Sequence, residues 1–334
     1  MNTRNPTLDD VAREADVSRS TASRAINGGD KVSPEAQQAV DAAVKMLGYT
    51  PNRAARSLVT RRTDSIALVA PEPSAKELTD PFLPGLVRGV ADGIVGTNLQ
   101  LVVLLNGDAE VSARAARYLR AGHVDGAVVA SHREGHLIEE ALDRTGIPAV
   151  AIGRPFSDQP RHYVDLDNYA GARMATQHLL DQGCRRIGTI TGSLALSSGG
   201  DRLLGWRDTL IEAGLPADAI AYSDFTAAGG ATAAAELLAI HDLDGLFVAS
   251  DVMAEGALRV LHSHGLRVPE DLRLVGFDNL GLSAHTTPPM TTVSNPIVES
   301  AKLATSILLE LLAGKASPFE PRIIAPKLIV RDTA

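Results

Sequence analysis

The first fifty residues carry short apolar stripes at helical spacing. The first stripe falls at positions i, i+3 and i+4, as Leu8, Val11 and Ala12. Thr7 followed by Asp10 has the spacing of a capping box, in which the two residues satisfy backbone groups at a helix start. The sequence therefore predicts a short amphipathic helix that begins after Thr7.

A second helix is predicted from its N-cap Ser18 to about Asn27. Asp16 and Val17 break the apolar run between the two helices. The apolar residues that can face the first helix are Val17, Ala22 and Ile26. The exposed face is polar and consists of Arg19, Ser20, Ser23, Arg24 and Asn27. Two short helices with a tight turn suit a reader of the DNA major groove, but an ordinary helical hairpin has the same pattern.

A third helix is predicted between Ser33 as N-cap and Gly48 as terminator, with Pro34 at its first position. Its packing stripe consists of Val40, Val44 and Leu47. Residues 54–59 also contain helix formers, but six residues are too few for a stable isolated helix. This segment could form a helix only when it is docked against DNA and a partner copy.

From Ser65 onward, short apolar runs alternate with helical stretches. The predicted strands are 66–69, 101–105, 127–130, 149–152, 187–190, 246–249 and 272–276. The predicted helices are 83–95, 111–121, 171–181, 202–213, 230–240 and 254–264. Such alternation is typical of α/β folds with parallel sheets covered by helices on both faces. A break near 163–168 divides the pattern into two similar halves.

Composition and charge narrow the class of protein. Hydrophobic residues make up 45% of the 334 residues and aromatics only 4%, which suits helices packed on parallel strands. We expect no membrane span, because no apolar run reaches ~18 residues. We expect no secretory signal, because the N-terminus lacks a charged region followed by an apolar one. The single cysteine, Cys184, fits a reducing cytoplasm. Residues 1–62 carry ten Lys/Arg against seven Asp/Glu, whereas the remainder carries 22 against 33, so a basic head precedes an acidic body.

Polar residues follow the predicted strands directly. They are Pro71-Glu72, Asn106, Ser131-His132, Gly153-Arg154, Gly192-Ser193, Ser250-Asp251 and Asp278-Asn279. Ligands of open α/β sheets bind outside the carboxyl ends of the strands, so these residues predict a polar cleft between two lobes. Polar residues also populate ordinary surface loops, and spacing alone favours neither interpretation.

Four runs of the N-terminal sequence carry a family resemblance: TLDDVAREADVS, STASRAING, VSPEAQQAV and GYTPNRAARSL. They resemble the DNA-binding headpiece of the lactose-repressor (LacI/GalR) family, and the similarity continues through essentially the whole chain. The resemblance implies a helix-turn-helix headpiece over 1–50, a hinge helix and linker over 51–63, and a core over 64–334. That core would be two-lobed, like a periplasmic binding protein, with chain crossings near 164, 293 and 322.

The exposed helix face and the resemblance together define candidate DNA-binding residues. They are Thr7, Ser18, Arg19, Ser20, Thr21, Arg24, Asn27, Tyr49, Asn52, Ala55 and Leu58. The resemblance implies that two hinge helices pair in the minor groove and that Leu58 wedges into the central base step. Arg19 and Ser20 differ from the pair in the lactose repressor, so its operator preference cannot be transferred.

The resemblance also implies effector-binding residues in the cleft. They are Phe82, Ser131, Arg154, Arg202 of DRLLGW, Phe225, Ser250 and Asp251 of VASD, and Asp278 of VGFDN. Each could instead be structural, with Arg202 as an ion-paired helix residue, Asp278 as a turn residue and Phe225 as part of the core. The loop 72–79 is longer and more charged than the family form, and Gly153 replaces a frequent aspartate.

We therefore expect a cytoplasmic, ligand-responsive repressor that binds a pseudo-palindromic operator as a homodimer. A sugar or sugar derivative is the expected effector, with a purine-type ligand as an alternative. A solute-binding protein would lack the headpiece, and an enzyme is disfavoured because neither G-x-G-x-x-G after the first strand nor HExxH is present. No cofactor or metal is expected. No leucine heptad follows the core, so we expect no tetramer built from a C-terminal bundle.

Overall fold

The computed structural model of the chain describes residues 6–27, 32–50, 62–71, 81–130, 137–155, 161–315 and 319–334. The chain divides into two compact units, Met1–Thr63 and Asp64–Ala334. The hinge residues 51–61 lie outside the described residues, as do the loop 72–79 and Ser131.

The described residues of the first unit form three helices: α1 (Leu8–Glu14), α2 (Arg19–Asn27) and α3 (Pro34–Leu47). They close over a small core of Val11, Ala12, Ala15, Ala22, Ala25, Val40 and Ala43. The core residues that the sequence prediction missed are Ala15, Ala25 and Ala43, while Val17 and Ile26 are only half-buried. This unit is a compact three-helix headpiece.

The predicted helix ends are confirmed. Thr7 and Asp10 form the capping box at α1, with the Thr7 backbone N–H donating to the Asp10 carboxylate at 2.9 Å. The Ser33 hydroxyl accepts from the backbone N–H of Ala36 at 3.2 Å, and Gly48 ends α3 in the left-handed region. Asp16 has a φ of 51° at the turn between α1 and α2. These local signals fix the spacing of the three helices.

The second unit begins with a lobe that we call the N-lobe. Its elements are β1 (Ser65–Pro71), α4 (Phe82–Gly93), β2 (Gln100–Asn106), α5 (Ala109–Arg120), β3 (Gly126–Val129), α6 (Leu137–Thr145), β4 (Ala149–Ile152) and β5 (His162–Leu166). The next stretch builds the C-lobe: α7 (Asn168–Asp181), β6 (Ile187–Ile190), α8 (Ser197–Glu212), β7 (Ile220–Ala221), α9 (Ala227–Ile240), β8 (Gly245–Val248), α10 (Asp251–Ser263), β9 (Arg273–Asp278), a 3₁₀ turn (Leu282–His285) and β10 (Thr291–Ser294). The chain ends with α11 (Ile297–Leu312), β11 (Arg322–Ile324) and β12 (Leu328–Ile329).

Each lobe is organised around one six-stranded sheet. The N-lobe sheet has the order β11-β5-β4-β3-β1-β2 and the C-lobe sheet the order β12-β10-β9-β8-β6-β7. The strand pairs are parallel, apart from β12, which runs antiparallel to β10. Burial of both sheet faces under helices explains the nearly continuous apolar strands, such as fully buried β3 and β8. The predicted α/β class with parallel sheets in two lobes is confirmed.

The chain passes between the lobes three times. It crosses at residues 166–168 from β5 to α7, at 294–297 from β10 to α11, and at 324–328 from β11 to β12. The expected break at 163–168 is thus mostly strand, because β5 occupies positions 162–166 and the crossing follows it. The carboxyl ends of β4, β5, β6, β8 and β9 meet around these crossings.

No helix among the described residues is long and apolar enough to cross a membrane. Within the same residues, no group of three or more His, Cys, Asp or Glu side chains is arranged to hold a metal ion.

Candidate DNA-binding surface and effector cleft

The solvent face of α2 is polar, and hydrogen bonds between residues close in sequence hold its side chains in place. Ser18, Arg19, Ser20, Arg24 and Asn27 are exposed. The Ser18 hydroxyl accepts from the Thr21 backbone N–H at 3.1 Å, and Arg24 Nε donates to the Ser20 carbonyl at 3.2 Å. This exposed helix face therefore carries hydrogen-bond donors and acceptors of the kinds that can bond to base edges.

Arg19 has an ion-pair partner on the neighbouring helix. Its Nε lies 3.1 Å from Asp9 Oδ1, and the two side chains are 71% and 62% exposed. A pair this exposed contributes little to stability, about 0.2–1 kcal/mol at most. Arg19 can therefore leave Asp9 for another acceptor at small cost.

The remaining DNA-binding candidates have different settings. Thr7 caps α1, Thr21 bonds to Ser18, and Tyr49 packs half-buried against the headpiece core. Asn52, Ala55 and Leu58 lie outside the described residues. Their assignment to a hinge helix stays a prediction.

In the second unit, Arg202 is the hub of the inter-lobe cleft. It lies on α8, is 4% exposed, and its guanidinium stacks 3.6 Å from the centroid of the Phe277 ring. Its Nε donates to Asn168 Oδ1 at 2.9 Å, one terminal nitrogen donates to the Ala249 carbonyl, and the other lies 3.4 Å from Asp278 Oδ1. Burial lowers the pKa of Arg202, and the nearby carboxylates oppose that shift.

Asp278 extends this network to a second crossing. It ends β9 with a φ of 114°, and its Oδ1 accepts from Asn295 Nδ2 at 3.1 Å. Asn168 lies on the first crossing and Asn295 on the second, so Arg202 and Asp278 together join two inter-lobe crossings. A cavity of about 240 Å³ opens beside Asp278, between the loop 278–280 and residues 294–299.

Ser250 and Asp251 support the cleft from behind. The Ser250 hydroxyl caps α10 through the Met253 backbone N–H at 3.2 Å. Asp251 is 3% exposed; it accepts from Thr292 Oγ1 at 2.6 Å and from the Asn279 backbone N–H at 2.8 Å. Burial and the charge of Asp278 raise its pKa to about 7. In this arrangement Asp251 holds the backbone beside Asp278, and Ser250 fixes the start of the helix on which Asp251 lies.

Phe225 presents an aromatic face at the C-lobe side of the cleft. Its backbone is left-handed at φ 71°, and its ring covers Gly192, where an added Cβ would lie within 2.4 Å of ring atoms. The Arg202 guanidinium lies 5.9 Å from the centroid of the ring. Phe82, by contrast, begins α4 and packs against the N-lobe core.

Arg154 is engaged by the opposite lobe. Its Nη2 lies 2.7 and 2.8 Å from the two carboxylate oxygens of Asp201 on α8. This pairing raises the pKa of Arg154. Among the candidate effector residues, the structure brings Arg202, Asp278 and Phe225 together, and it places Arg154 in an ion pair.

Sequence reasoning missed four polar residues of the cleft: Asp165, Asn168, Asp201 and Asn295. Asp165 accepts from the Leu166 backbone N–H and from Asn168 Nδ2, and burial raises its pKa to about 6. A signal existed, because Asp165 and Asn168 lie within the predicted break at 163–168. Asn295 gave no comparable signal, since strand β10 before it was not predicted.

The comparisons with known proteins agree with this geometry. The sequence profile of bacterial regulatory proteins of the lacI family matches residues 7–52, and that of the periplasmic binding protein-like domain matches residues 176–334. The HTH-type transcriptional regulator CelR of Thermobifida fusca is 41% identical over 335 residues, which cover 99% of this chain and 98% of CelR.

Solved structures extend the likeness to the fold. A transcriptional regulator CelR–cellobiose complex matches with a TM-score of 0.78 at 39% identity, covering 98% of this chain and all of that one. The lac repressor dimer bound to operator and the anti-inducer ONPF matches with a TM-score of 0.86 at 26% identity, covering 99% of each chain. These relatives are transcription regulators and not enzymes. Because headpiece, core and full-length identity all agree, the chain belongs to the lacI family of bacterial regulatory proteins.

Proposed function

We propose that the chain is a repressor that binds operator DNA as a homodimer and is controlled by a small saccharide in the inter-lobe cleft. Two headpieces related by a two-fold axis would read two half-sites of a pseudo-palindromic operator. The exposed polar face of α2 supports this role for the headpiece. Because operator DNA lies in the cytoplasm, we infer that the protein works there.

Cellobiose is the first effector to test. The observation that carries this choice is the likeness over nearly the full chain to two regulators named CelR: 41% identity to that of Thermobifida fusca, and 39% identity to a CelR that was solved in complex with cellobiose. The cleft chemistry fits a polyhydroxylated ligand, because Asp278 can accept from ligand hydroxyls and Arg202 can donate to them. The face of Phe225 offers an apolar surface on which a sugar ring can rest.

The Arg202 network suggests how a ligand would act on the lobes. Arg202 bonds to Asn168 on one crossing, and Asp278 bonds to Asn295 on another. A ligand that takes hydrogen bonds from Arg202 or gives them to Asp278 changes the contacts that hold both crossings. The effect on operator binding is then a coupling free energy between the ligand site and the DNA site. Because this coupling is reciprocal, operator DNA must change ligand affinity by the same factor.

The test begins with the operator itself. Sites selected from a random DNA pool by the full-length protein should be pseudo-palindromic, and operator affinity should change when cellobiose is added. Ribose, galactose and guanine serve as parallel ligands, each also titrated calorimetrically against DNA-free protein. Binding of guanine with no sugar binding would favour a purine-responsive regulator, and selection of no DNA site would overturn the proposal.

A solute-binding protein is the second candidate that the core alone would permit. The headpiece disfavours it, because α1–α3 and the family match over residues 7–52 have no use in solute capture.

A further inference from the structure

Two polar contacts join the lobes beside the Arg202 hub. Arg154 directly follows β4 and Gly153 in the N-lobe, and it pairs with Asp201 of the C-lobe at 2.7 and 2.8 Å. The hydroxyl of Ser197, also on α8, donates to the backbone carbonyl of Arg154 at 2.9 Å. Helix α8 thus contacts the carboxyl end of an N-lobe strand through both a charge pair and a neutral bond.

This contact adjoins the residues proposed to sense the ligand. Asp201 immediately precedes Arg202 on α8. The charge of Arg154 also acts on Asp165, which bonds to Asn168, and Asn168 accepts from Arg202 Nε. A change in the spacing of the lobes at Arg154 and Asp201 can therefore reach Arg202 by two routes: directly along the chain from Asp201, and through the two hydrogen bonds that join Asp165 to Asn168 and Asn168 to Arg202.

We propose that Arg154 and Asp201 form an inter-lobe latch that favours the lobe arrangement seen here and so sets both effector and operator affinity. The inference rests on the proposed function, since it assumes that lobe arrangement couples the two sites. Asp201 is then a positioning residue, and Arg154 acts through Asp201 and not by touching the ligand. Suppose that the ion pair is more stable in one lobe arrangement than in another. Removing the pair then changes the ratio of the two arrangements, and each affinity changes by at most the difference in the pair's free energy between them.

The exposure of the pair bounds the size of the effect. The Arg154 and Asp201 side chains are 46% and 23% exposed. Pairs of this kind are worth a modest amount, so each single variant should change the two affinities by about two- to fivefold. Effects of this size are measurable and leave the fold intact.

The experiment is a double-mutant cycle on the full-length dimer with R154M, D201N and the double variant. Operator affinity is read by fluorescence anisotropy, and cellobiose affinity by calorimetry on DNA-free protein. The matched control is the ion pair of Arg173 and Glu212, in which Arg173 Nη2 lies 2.6 Å from Glu212 Oε2. It has the same charges, and both residues lie within the C-lobe. R173M and E212Q should leave both affinities unchanged.

The latch predicts that each single variant changes both operator affinity and cellobiose affinity. If cellobiose weakens operator binding by wild type, the two affinities should change in opposite directions; if it strengthens operator binding, they should change in the same direction. The double variant should match a single variant, because the coupling is already lost. Additive effects, unchanged affinities or equal shifts in the control pair would overturn the latch. If R154M alone weakens cellobiose while D201N changes nothing, Arg154 is an effector contact and the latch is wrong.

A ligand-independent readout separates this inference from the proposed function. Spin labels at E110C on α5 and E236C on α9 report the distance between the lobes, in dimers diluted with unlabelled chain. Both residues are exposed. The latch predicts a broader or shifted distance distribution in R154M and D201N but not in the control pair, even if wild type fails to respond to cellobiose. An unchanged distribution in both latch variants overturns the latch, whatever the ligand does.

Discussion

Arg202 lies in the cleft proposed for the ligand, and its contacts also give it a structural role. Its guanidinium bonds to Asn168, Ala249 and Asp278 while lying flat on the Phe277 ring. Taken from sequence alone, Arg202 is an effector contact whose removal would spare the rest of the protein. The contacts lead to a different expectation, because a buried charge with this many partners also holds the body together.

Replacing Arg202 by Met should lower the free energy of unfolding of the body by about 3–5 kcal/mol, since the variant leaves buried polar partners without a donor. Denaturant titration followed by tryptophan fluorescence checks this, because the single tryptophan, Trp206, is buried in the C-lobe and reports the body alone. Arg207→Met, on the exposed side of the same helix, is the control and should cost less than about 0.5 kcal/mol. Equal stability of the two variants would contradict the hub.

Asp251 should give the body a pH-dependent stability. Burial and the charge of Asp278 raise its pKa to about 7. The same carboxyl ionises near pH ~4 in the unfolded chain, so between about pH 4 and 7 the folded state holds the extra proton. This contribution to stability is greatest at low pH and is lost as pH rises to about 7.

Asp251→Asn removes that titration. The free energy of unfolding of wild type minus that of the variant should fall from about pH 5 to about pH 7 and stay level above about pH 8. Denaturant titrations of both proteins across this range check the sign. A difference that grows with pH would mean that Asp251 is stabilised as the carboxylate.

At the scale of elements, local signals predicted the headpiece and the strands of the sheets well. Capping residues such as Thr7 and Ser33 act on neighbouring backbone groups, so their effect can be inferred from sequence. The predicted strands and helices of the body lie within a few residues of the observed ones. What was missed is α6, α11 and five short strands, including β5 and β10.

The missed elements depend on contacts distant in sequence. Helix α11 packs on α4 and the N-lobe sheet although it follows the C-lobe in the chain. Strands β7, β11 and β12 have two or three residues each, too few for a period of two to be visible. The same holds for the cleft. Residues that directly follow predicted strands could be proposed from the sequence, whereas the positions of Asn295 and Asp201 in the cleft depend on the tertiary fold.

Helix α2 carries the prediction on base recognition. Arg19→Ala should relax preference at one symmetric pair of operator positions, because a bidentate arginine–guanine contact discriminates by about 1–3 kcal/mol. Binding to a panel of operators with single base changes is the measurement, with Arg13→Ala on α1 as the control. A uniform loss on all sequences with a shallower salt dependence would instead assign Arg19 to phosphate.

The packing of α4 on α11 carries a prediction on the N-lobe. Three glycines of α4 face α11, and a Cβ on Gly89 would lie 2.4 Å from the Val298 carbonyl oxygen and 2.6 Å from Ala301 Cβ. Gly89→Ala should therefore destabilise the body by about 1–3 kcal/mol through overpacking. Gly200 of α8 meets nothing within 4 Å, so Gly200→Ala should be neutral or slightly stabilising. Equal unfolding midpoints for the two variants would contradict the close approach.

At the scale of the whole molecule, the charge distribution and the two-lobed core indicate different roles for the two units. Residues 1–62, which include the headpiece and the hinge segment, carry three net positive charges, and this suits DNA, although the chain as a whole carries −8. The core offers a polar cleft whose hub joins two chain crossings. Ligand control of DNA binding requires a coupling free energy between these two parts.

The most direct test of this account is operator affinity measured against cellobiose concentration for wild type and Asp278→Asn. Asp278→Asn removes the carboxylate charge that would accept from ligand hydroxyls, which should weaken ligand binding by about 1–3 kcal/mol or more. The asparagine amide oxygen can still accept from Arg202 and Asn295, so ligand-free operator affinity should stay near that of wild type. We predict that cellobiose changes operator affinity of wild type at least about tenfold and leaves the variant nearly unresponsive at the same concentration. An equal response in both proteins would contradict the proposed cleft, and a wild type that binds cellobiose without any change in operator affinity would contradict the coupling itself.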